Sequence, residues 1–435
     1  MKRTFLIAFA VLATGMAQAQ TTLDLRGCID RATERNIQIR QAALTVKNQE
    51  LQLDNARNAR LPEVSAGVGQ NFSFGRGLTA NNTYESRNTS STSFSLGASM
   101  PLYTGGRIGL EKDRSKLNLE AALVDVERLR ENLALQVAQV YLQVIYQMDV
   151  VAQCDSNLLL SHAQHRRVQQ QVAAGRVAEV ELPQTEARIA QDSLALVQAK
   201  NNLRLALLDM AQLIEHSDPE TLELVRPSES ELAAVVGNPE EVYLLSLGER
   251  PALRAGELRI KAAEKGIDIA KTGYLPTLSL SANMGTNYYN TSGYPSNGLG
   301  RQMKDNFAQG IGLSLGIPIF NRFSTRNSVR AARLEQLNSE LTLEDTKKSL
   351  FKDIQNAFYN ARGAEQKYKA AQVAETTAAV ALRAVTLKYE AGKATASEYD
   401  EARNKHFSAA TDRIAARYEF MFRNKILDFY RGTPL

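Results

Sequence analysis

The side chains that could carry chemistry are few, and their spacing does not assemble a reaction centre. Four histidines and two cysteines occur in 435 residues. His162 and His165 stand three apart and could face a metal from one helix, but with no cysteine or further histidine beside them a solvated face is the better reading. His216 and His406 are isolated. No Ser/His/Asp order, phosphate-cradling glycine loop or HExxH pattern occurs, so the chain is expected not to be an enzyme and to hold no metal or cofactor. Cys28 and Cys154 are too few to staple an exported chain of this size and read as free helix residues. Residues 25–28 have the outline of a lipoprotein cleavage box, yet Asp24 and Arg26 fit it poorly, and acylation of Cys28 is not expected.

The remaining candidates are carboxylates. Glu398 and Glu401 follow Gly392 by six and nine residues. Brought to one level by several copies of the chain, such acids concentrate negative charge, favour cations and can bind divalent metal. On a single chain they cap a helix N-terminus, where acids are favoured in any case. The sequence leaves both readings open.

The elements that would position these groups are unusually long. Residues 1–19 come first, with a basic start (Lys2, Arg3), an apolar core and Ala17-Gln18-Ala19, and read as a secretory signal peptide. Its removal lowers the net charge of +5 to about +3, interleaved with acids, which gives no nucleic-acid footprint. No later apolar run approaches the roughly 18 residues of a spanning helix, so any insertion into a membrane would be by strands.

Residues 25–60 follow a helical period that ends at Leu61-Pro62. Then Val64, Ala66, Val68, Phe72 and Phe74 alternate with Ser65, Gly67, Gly69, Asn71 and Ser73. After a polar loop over 75–91 the alternation resumes through Phe94, Leu96, Ala98, Met100 and Leu102. This predicts a β-hairpin over about 62–102, with strands of the ~9–11 residues that a tilted membrane strand needs. At Pro101-Leu102-Tyr103-Thr104-Gly105-Gly106-Arg107 the period changes to heptads, with Leu119, Leu123, Val126, Leu133, Val137, Val140, Val144 and Val151 on one seam. The helix predicted over 108–174 would be about 100 Å long. Gly175-Arg176 breaks it, and a return helix runs over about 182–213.

The second half repeats the plan. A helix over 240–272 ends at Leu275-Pro276, a hairpin follows over about 276–319, and Pro318-Ile319-Phe320-Asn321-Arg322 leads into a helix over 324–391. Gly392-Lys393 breaks that helix and a last one runs over 397–430. The offset is 214 residues at the Leu-Pro pairs and 217 at the tip glycines, which places three extra residues in the polar loop 290–306. The predicted organisation is a first repeat over 20–216, a connector rich in proline and acids over 217–239, and a second repeat over 240–435. Pro101 and Pro318 are expected to end the strand ladders, and Gly105-Gly106 to give a looser swivel than Asn321-Arg322. Phe72, Phe74, Phe94, Tyr103, Tyr288 and Phe320, near strand ends, are candidates for interfacial girdles.

Four amphipathic strands cannot close a barrel, because an open edge in lipid leaves backbone groups unpaired. Closure requires further copies, and a pore wide enough for water requires three copies in all, with twelve strands.

These features, in their order and spacing, resemble the TolC-type outer-membrane efflux proteins over essentially the whole mature chain: the Leu61-Pro62 and Leu275-Pro276 entries, the Pro101 and Pro318 exits, and the tip glycines 175 and 392. The resemblance implies a mainly α fold with a β-barrel portion, a homotrimer in which a 12-stranded outer-membrane barrel continues into a periplasmic α-helical coiled-coil barrel. It implies the exit duct of a tripartite efflux or type I secretion system, partnered by a periplasmic adaptor and an inner-membrane RND or ABC transporter, with docking at Gly175, Arg176, Gly392 and Lys393. In that family a tyrosine near the second tip glycine bonds an acid after the first, matched here by Tyr389 and Glu181, and paired acids constrict the tip, matched by Glu398 and Glu401. The family's arginine two residues past the second glycine is Ala394 here, which leaves Arg176 or Lys393 as substitutes. A periplasmic coiled-coil spacer or adaptor, and a surface receptor or adhesin barrel, are the rival readings.

Overall fold

Three kinds of local signal build the fold: alternation makes four strands, heptads make two rods, and glycines or polar caps end them. The computed structural model describes residues 21–78, 82–227 and 237–433, so the signal-peptide region and part of the connector lie outside the described residues. The strands are β1 (Thr21–Leu23), β2 (Glu63–Ser73), β3 (Arg76–Leu78), β4 (Tyr84–Ser86), β5 (Thr89–Tyr103), β6 (Leu222–Leu224), β7 (Thr277–Thr291) and β8 (Ala308–Gly316). The helices are α1 (Leu25–Arg35), α2 (Ile37–Asn58), α3 (Arg107–Ala173), α4 (Glu181–Leu213), α5 (Pro239–Leu247), α6 (Pro251–Lys271), α7 (Leu299–Asp305), α8 (Ser324–Glu390) and α9 (Ala396–Tyr430). No helix among the described residues is long and apolar enough to cross a membrane.

The chain divides into two compact units, and neither is a chain half. One comprises the chain up to Ala43, Asp125–Leu253 and the chain from Asp345 onward; the other comprises Leu44–Val124 and Arg254–Glu344. The second unit holds an antiparallel sheet in the order β2-β5-β7-β8. Leu96 pairs with Ala66 on one side and Met284 on the other, and Ala282 pairs with Ile311. Val64, Val68, Phe72, Ile311, Leu313 and Leu315 are all exposed, so their apolar faces have no cover among the described residues. Pro62 and Pro276 stand just before β2 and β7, where a missing N–H does no harm. Pro101 does not end its ladder as expected. It pairs with Ser279, and a bulge carries the pairing on to Tyr103 and Leu278, because a bulge tolerates the missing donor. The loop over 290–306 is not all irregular, since α7 forms there and Gln302 Nε2 donates to the carbonyls of Tyr289 (2.9 Å) and Asn297 (2.8 Å).

The junctions between strand and rod are alike in backbone but not in residue. Gly105 (φ +63°) and Gly106 (φ +83°) sit 217 residues before Arg322 (φ +56°) and Phe323 (φ +63°). Both turns therefore use two successive left-handed residues, which glycine adopts freely and an L side chain adopts at about 1–2 kcal/mol each. The counterpart of Gly105-Gly106 is thus Arg322-Phe323 and not Asn321-Arg322.

In the other unit, the helices expected over 25–60 and 240–272 are each split, at Asn36 and at Gly248–Arg250. Asn36 and Arg250 are 214 residues apart, and each caps the end of a return helix. Asn36 Nδ2 donates to the Leu213 carbonyl at the end of α4 (3.3 Å), and Arg250 Nη2 donates to the Phe429 carbonyl at the end of α9. Arg250 also lies 4.2 Å from the Phe429 ring centroid and 3.3 Å from Glu131 Oε2, whose carboxyl is held above its ordinary value by burial. A cation at a helix C-terminus is favoured by the macrodipole, and Arg250 is buried, so solvent screens it little.

The main core joins Ile39, Val137, Tyr141, Ile145, Met210, Ile214, Leu222 and Met421 around α3. Fully burying each large apolar side chain contributes about 1.5–3 kcal/mol. The seam on α3 is wider than one heptad line: Ala138, Tyr141, Leu142 and Ile145 are buried beside Val137 and Val144, while Leu123 is exposed. Several elements pack around α3 here, so more than one stripe is covered. Cys28 lies fully inside this core, with its thiol pushed up to about 12 chiefly by desolvation. Part of the predicted irregular connector is ordered, as β6 pairs in parallel with β1.

The junction geometry predicts an order of damage. A methyl group at Gly105 would fall 2.7 Å from Leu275 Cβ, whereas nothing lies within 4 Å at Gly106. Gly106→Ala should cost about 1 kcal/mol through backbone strain alone, and Gly105→Ala at least about 2. Thermal unfolding of the two variants in detergent checks this, and equal stabilities would contradict the packing.

Candidate functional site: the helix reversals at 175 and 392

Both rods end in the same hydrogen-bonded turn. Arg176 N donates to Gln171 O (2.9 Å) and Gly175 N to Val172 O (2.9 Å), while Lys393 N donates to Lys388 O (2.8 Å) and Gly392 N to Tyr389 O (3.1 Å). With φ of +68° at both glycines, each is a Schellman cap, which stops a helix cleanly and sets the next one antiparallel. The return helix α9 starts on a capping box. Thr395 Oγ1 accepts from Glu398 N (3.2 Å), and Glu398 Oε2 accepts from Thr395 N (2.7 Å). Donation from the Thr395 N–H and then from its hydroxyl (3.0 Å) holds the Glu398 carboxyl below its ordinary value. Glu398 therefore performs the capping role within one chain, while Glu401 is exposed and pairs with Lys405 at 2.7 Å. Arg176 and Lys393 are exposed and form no ion pair among the described residues, and Ala394 lies in the turn between rod and return helix.

Tyr389 and Glu181 come together in one small pocket with Gln164, Arg188, Tyr399, Asp400 and Arg403. The Tyr389 hydroxyl accepts from Gln164 Nε2 (3.2 Å), and its ring stacks on Tyr399 with centroids 5.1 Å apart. Its phenol is raised by burial first and by the charge of Glu181 second, so Glu181 acts on it through its field. Beside it Arg167 Nη1 meets Glu390 Oε1 at 2.7 Å, a second tie between α3 and α8. His165 is engaged by the Thr185 hydroxyl at 2.8 Å, which joins α3 to α4.

Sequence reasoning missed the strongest feature. Arg403 on α9 is 3% exposed and donates through Nη2 to Asp192 Oδ2 (2.7 Å), Ser161 Oγ (2.6 Å) and the Asn157 carbonyl (2.8 Å). Asp192 on α4 also accepts from Asn157 Nδ2 (3.0 Å), from the Ser161 hydroxyl and from Arg188 Nε (3.3 Å). The network ties α3, α4 and α9 just below both reversals, and every charge in it is paired, which is what permits its burial. A signal for it existed: Asp192 lies on the same helical line as the buried Leu196, Ala199 and Ala206, a place where a charge is costly unless it is met. Asp400, next to this network, is held above the ordinary carboxylate range by burial, with Arg188 and Arg403 opposing that rise and Asp192 adding to it.

Removing Arg403 leaves the buried Asp192 charge with only the longer contact to Arg188. Arg403→Ala should destabilise the reversal by about 3–5 kcal/mol and accelerate hydrogen exchange in the flanking segments of α3, α4 and α9; unchanged exchange would contradict the network's role. Because Asp400 takes its proton more readily folded than unfolded, its contribution to stability grows as pH falls from its folded value towards its unfolded one. Asp400→Asn should remove that slope in mildly acid pH titrations of unfolding.

The comparisons with known proteins agree with this architecture. The chain matches the family described as outer membrane efflux protein over residues 28–215 and 242–424. It is 23% identical over 444 residues to the outer membrane protein TolC of Escherichia coli, covering all of this chain and 87% of TolC. It is 24% identical over 400 residues to the outer membrane protein OprJ of Pseudomonas aeruginosa, covering 88% of this chain and 78% of OprJ. Among solved structures it is similar in fold to CusC, with a TM-score of 0.76 at 19% identity, over 94% of this chain and 92% of that one. Twin rods, twin reversals and a four-stranded sheet, together with a family match over most of its length, establish that this chain belongs to the outer membrane efflux protein family.

Proposed function

We propose that the chain forms the outer-membrane exit duct of an efflux or type I secretion system, as a homotrimer that conducts passively and is held shut at its helix reversals. One observation carries the assembly: the sheet β2-β5-β7-β8 has four strands, and both edges, β2 and β8, are unpaired among the described residues. Three copies give a closed twelve-stranded barrel in which every edge is met and the lumen can hold water. Exposed apolar residues at heptad spacing support the same conclusion for the helices. Ile37, Leu44 and Leu51 on α2, and Val373, Val380 and Leu387 on α8, form exposed stripes that no element among the described residues covers.

The repeats over 20–216 and 240–435, joined by the connector at 217–239, are supported by the matched helix breaks, junctions and reversals. The junction residues Pro62, Pro101, Gly105, Gly106, Pro276 and Pro318 mark the periplasmic membrane surface, with the rods extending into the periplasm. Gly175, Arg176, Gly392 and Lys393 form the blunt end that meets a periplasmic adaptor, behind which an RND or ABC transporter in the inner membrane supplies the energy. Glu398 and Glu401, repeated by three copies at one level, form the constriction, with Glu398 capping its helix at the same time. Tyr389 and Glu181, backed by the Arg403 network, hold the reversals closed.

Planar-bilayer recording of the purified protein tests this. A small, cation-favouring conductance is expected, and Tyr389→Phe combined with Glu181→Ala should raise it severalfold. Conductance that the double variant leaves unchanged would contradict the tip assignment, and no conductance from any variant would contradict the channel.

A further inference from the structure

The four strands of the sheet carry a single charge between them. Among the described residues of β2, β5, β7 and β8, Glu63 alone is an aspartate, glutamate, lysine, arginine or histidine. It opens β2, is exposed, and forms no ion pair among the described residues. Its face of the sheet is the polar one. Glu63 pairs with Ser99, Ser99 with Ser281 and Ser281 with Gly312, and the next row of that face is Ser65, Gly97, Asn283 and Gly310. Glycines across from hydroxyls keep this wall flat. Ser93 and Ser95 lean over Gly69 and Gly67 and donate to their carbonyls at 3.4 and 3.3 Å, and Ser281 donates to the Gly312 carbonyl at 3.3 Å. A Cβ at Gly69 would fall 2.9 Å from Ser93 Oγ, so the serine leans only because a glycine faces it. A wall whose donors are turned onto itself offers a passing solute little except the field of Glu63. The nearest charges of the adjoining helical part are engaged elsewhere: Arg107 is met by Glu111 at 2.7 Å, and Arg60 Nη2 reaches over α3, 3.9 Å from the place of a Cβ at Gly109.

If the apolar face meets lipid, the polar face bounds the lumen, and the inference rests on that reading of the trimeric duct. Twelve strands about 4.8 Å apart and tilted by about 40° set a wall at a radius of about 12 Å. Three carboxylates at one level of such a wall stand about 20 Å apart, too far to hold one ion jointly, so they act through their summed field. That field raises cations at the axis about threefold in 10 mM salt, where the screening length is about 30 Å, and about 1.5-fold in 0.15 M salt, where it is about 8 Å. Anions are depleted by the same factors. We propose that Glu63, repeated by three copies, is a selectivity ring at the periplasmic mouth of the barrel, separate from the reversals, and that the strand-lined lumen beyond it is electrically neutral. The duct then sorts solutes by charge at two levels. Cationic cargo admitted at the reversals is favoured again where the rods give way to strands.

Reversal potentials in potassium chloride gradients across planar bilayers test this, in the full-length protein carrying Tyr389→Phe and Glu181→Ala so that the reversals do not dominate the current. Glu63→Gln should lower the preference for potassium over chloride by about threefold near 10 mM salt and by less than twofold at 0.15 M, since the ring is one level of a longer path. Glu63→Lys should turn that level towards anions. Ser95→Glu, which adds a charge to the same face in mid-strand, is the reference and should raise the preference. If Ser95→Glu raises it and Glu63→Gln leaves it unchanged at 10 mM, the Glu63 carboxylate is neutralised where copies meet; the ring is then wrong and the duct stands. A loss of oligomer heat stability in Glu63→Gln with the preference unchanged overturns the ring in the same way. If Ser95→Glu and Glu63→Lys both leave the preference unchanged, the polar face is not the lumen, and the duct reading fails together with the ring. Absence of current from every variant has the same consequence.

Discussion

Backbone hydrogen bonding in a medium without water constrains this molecule more than any other interaction. Each unpaired N–H or C=O in the hydrocarbon core costs several kcal/mol, and a single chain presents two whole edges of them, on β2 and β8. Nothing among the described residues remedies this, because the segments flanking the sheet lead into helices. The sheet is therefore unfinished by design, and the exposed stripes on α2 and α8 make the helical part unfinished in the same way. In the proposed trimer such a chain would gain its stability among its own copies, which would tie folding to assembly.

A second tension runs through the reversals. A duct must be rigid along its length and yielding at one end. The rods gain rigidity from apolar seams, with Ile145, Val144, Val137 and Met210 wholly buried. Near the reversals those seams give way to Arg403, Asp192, Asn157 and Ser161, a buried polar cluster whose stability depends on geometry. Apolar packing degrades gradually as helices separate. A charge network loses its partners together, and once water enters, the charges are nearly as content apart as paired. Such a cluster is therefore more sensitive to small changes in geometry than a Leu-rich seam.

Much of the fold was legible because its signals are local. The Leu-Pro entries, the end of β8 before Pro318 and the tip glycines each reflect a backbone requirement that a residue type announces, whereas Pro101 stays in its ladder through a bulge. The reversals were located to the residue because only a left-handed position demands glycine there, and both glycines stand at φ +68°. The junctions were misread by one residue because Arg322 and Phe323 occupy left-handed backbone without the glycine that would advertise it. The helix breaks at Asn36 and Arg250 escaped notice for a related reason: their cause is a carbonyl at the end of another helix, Leu213 O or Phe429 O, far away in sequence. The pairing of Arg403 with Asp192 is of the same kind. Each alone looks like one more charge on a long helix, and only packing shows that both face inward.

Closure by copies of the chain is the claim on which the rest depends, and the mass of the intact assembly tests it most directly. Native mass spectrometry of the protein released from detergent should give three chains, the number that makes twelve strands from four and leaves a water-filled lumen. A stable monomer would contradict the account, since it would mean that the edges of β2 and β8 are tolerated open. A dimer would contradict it as well, because eight strands make a barrel filled by its own side chains and no duct.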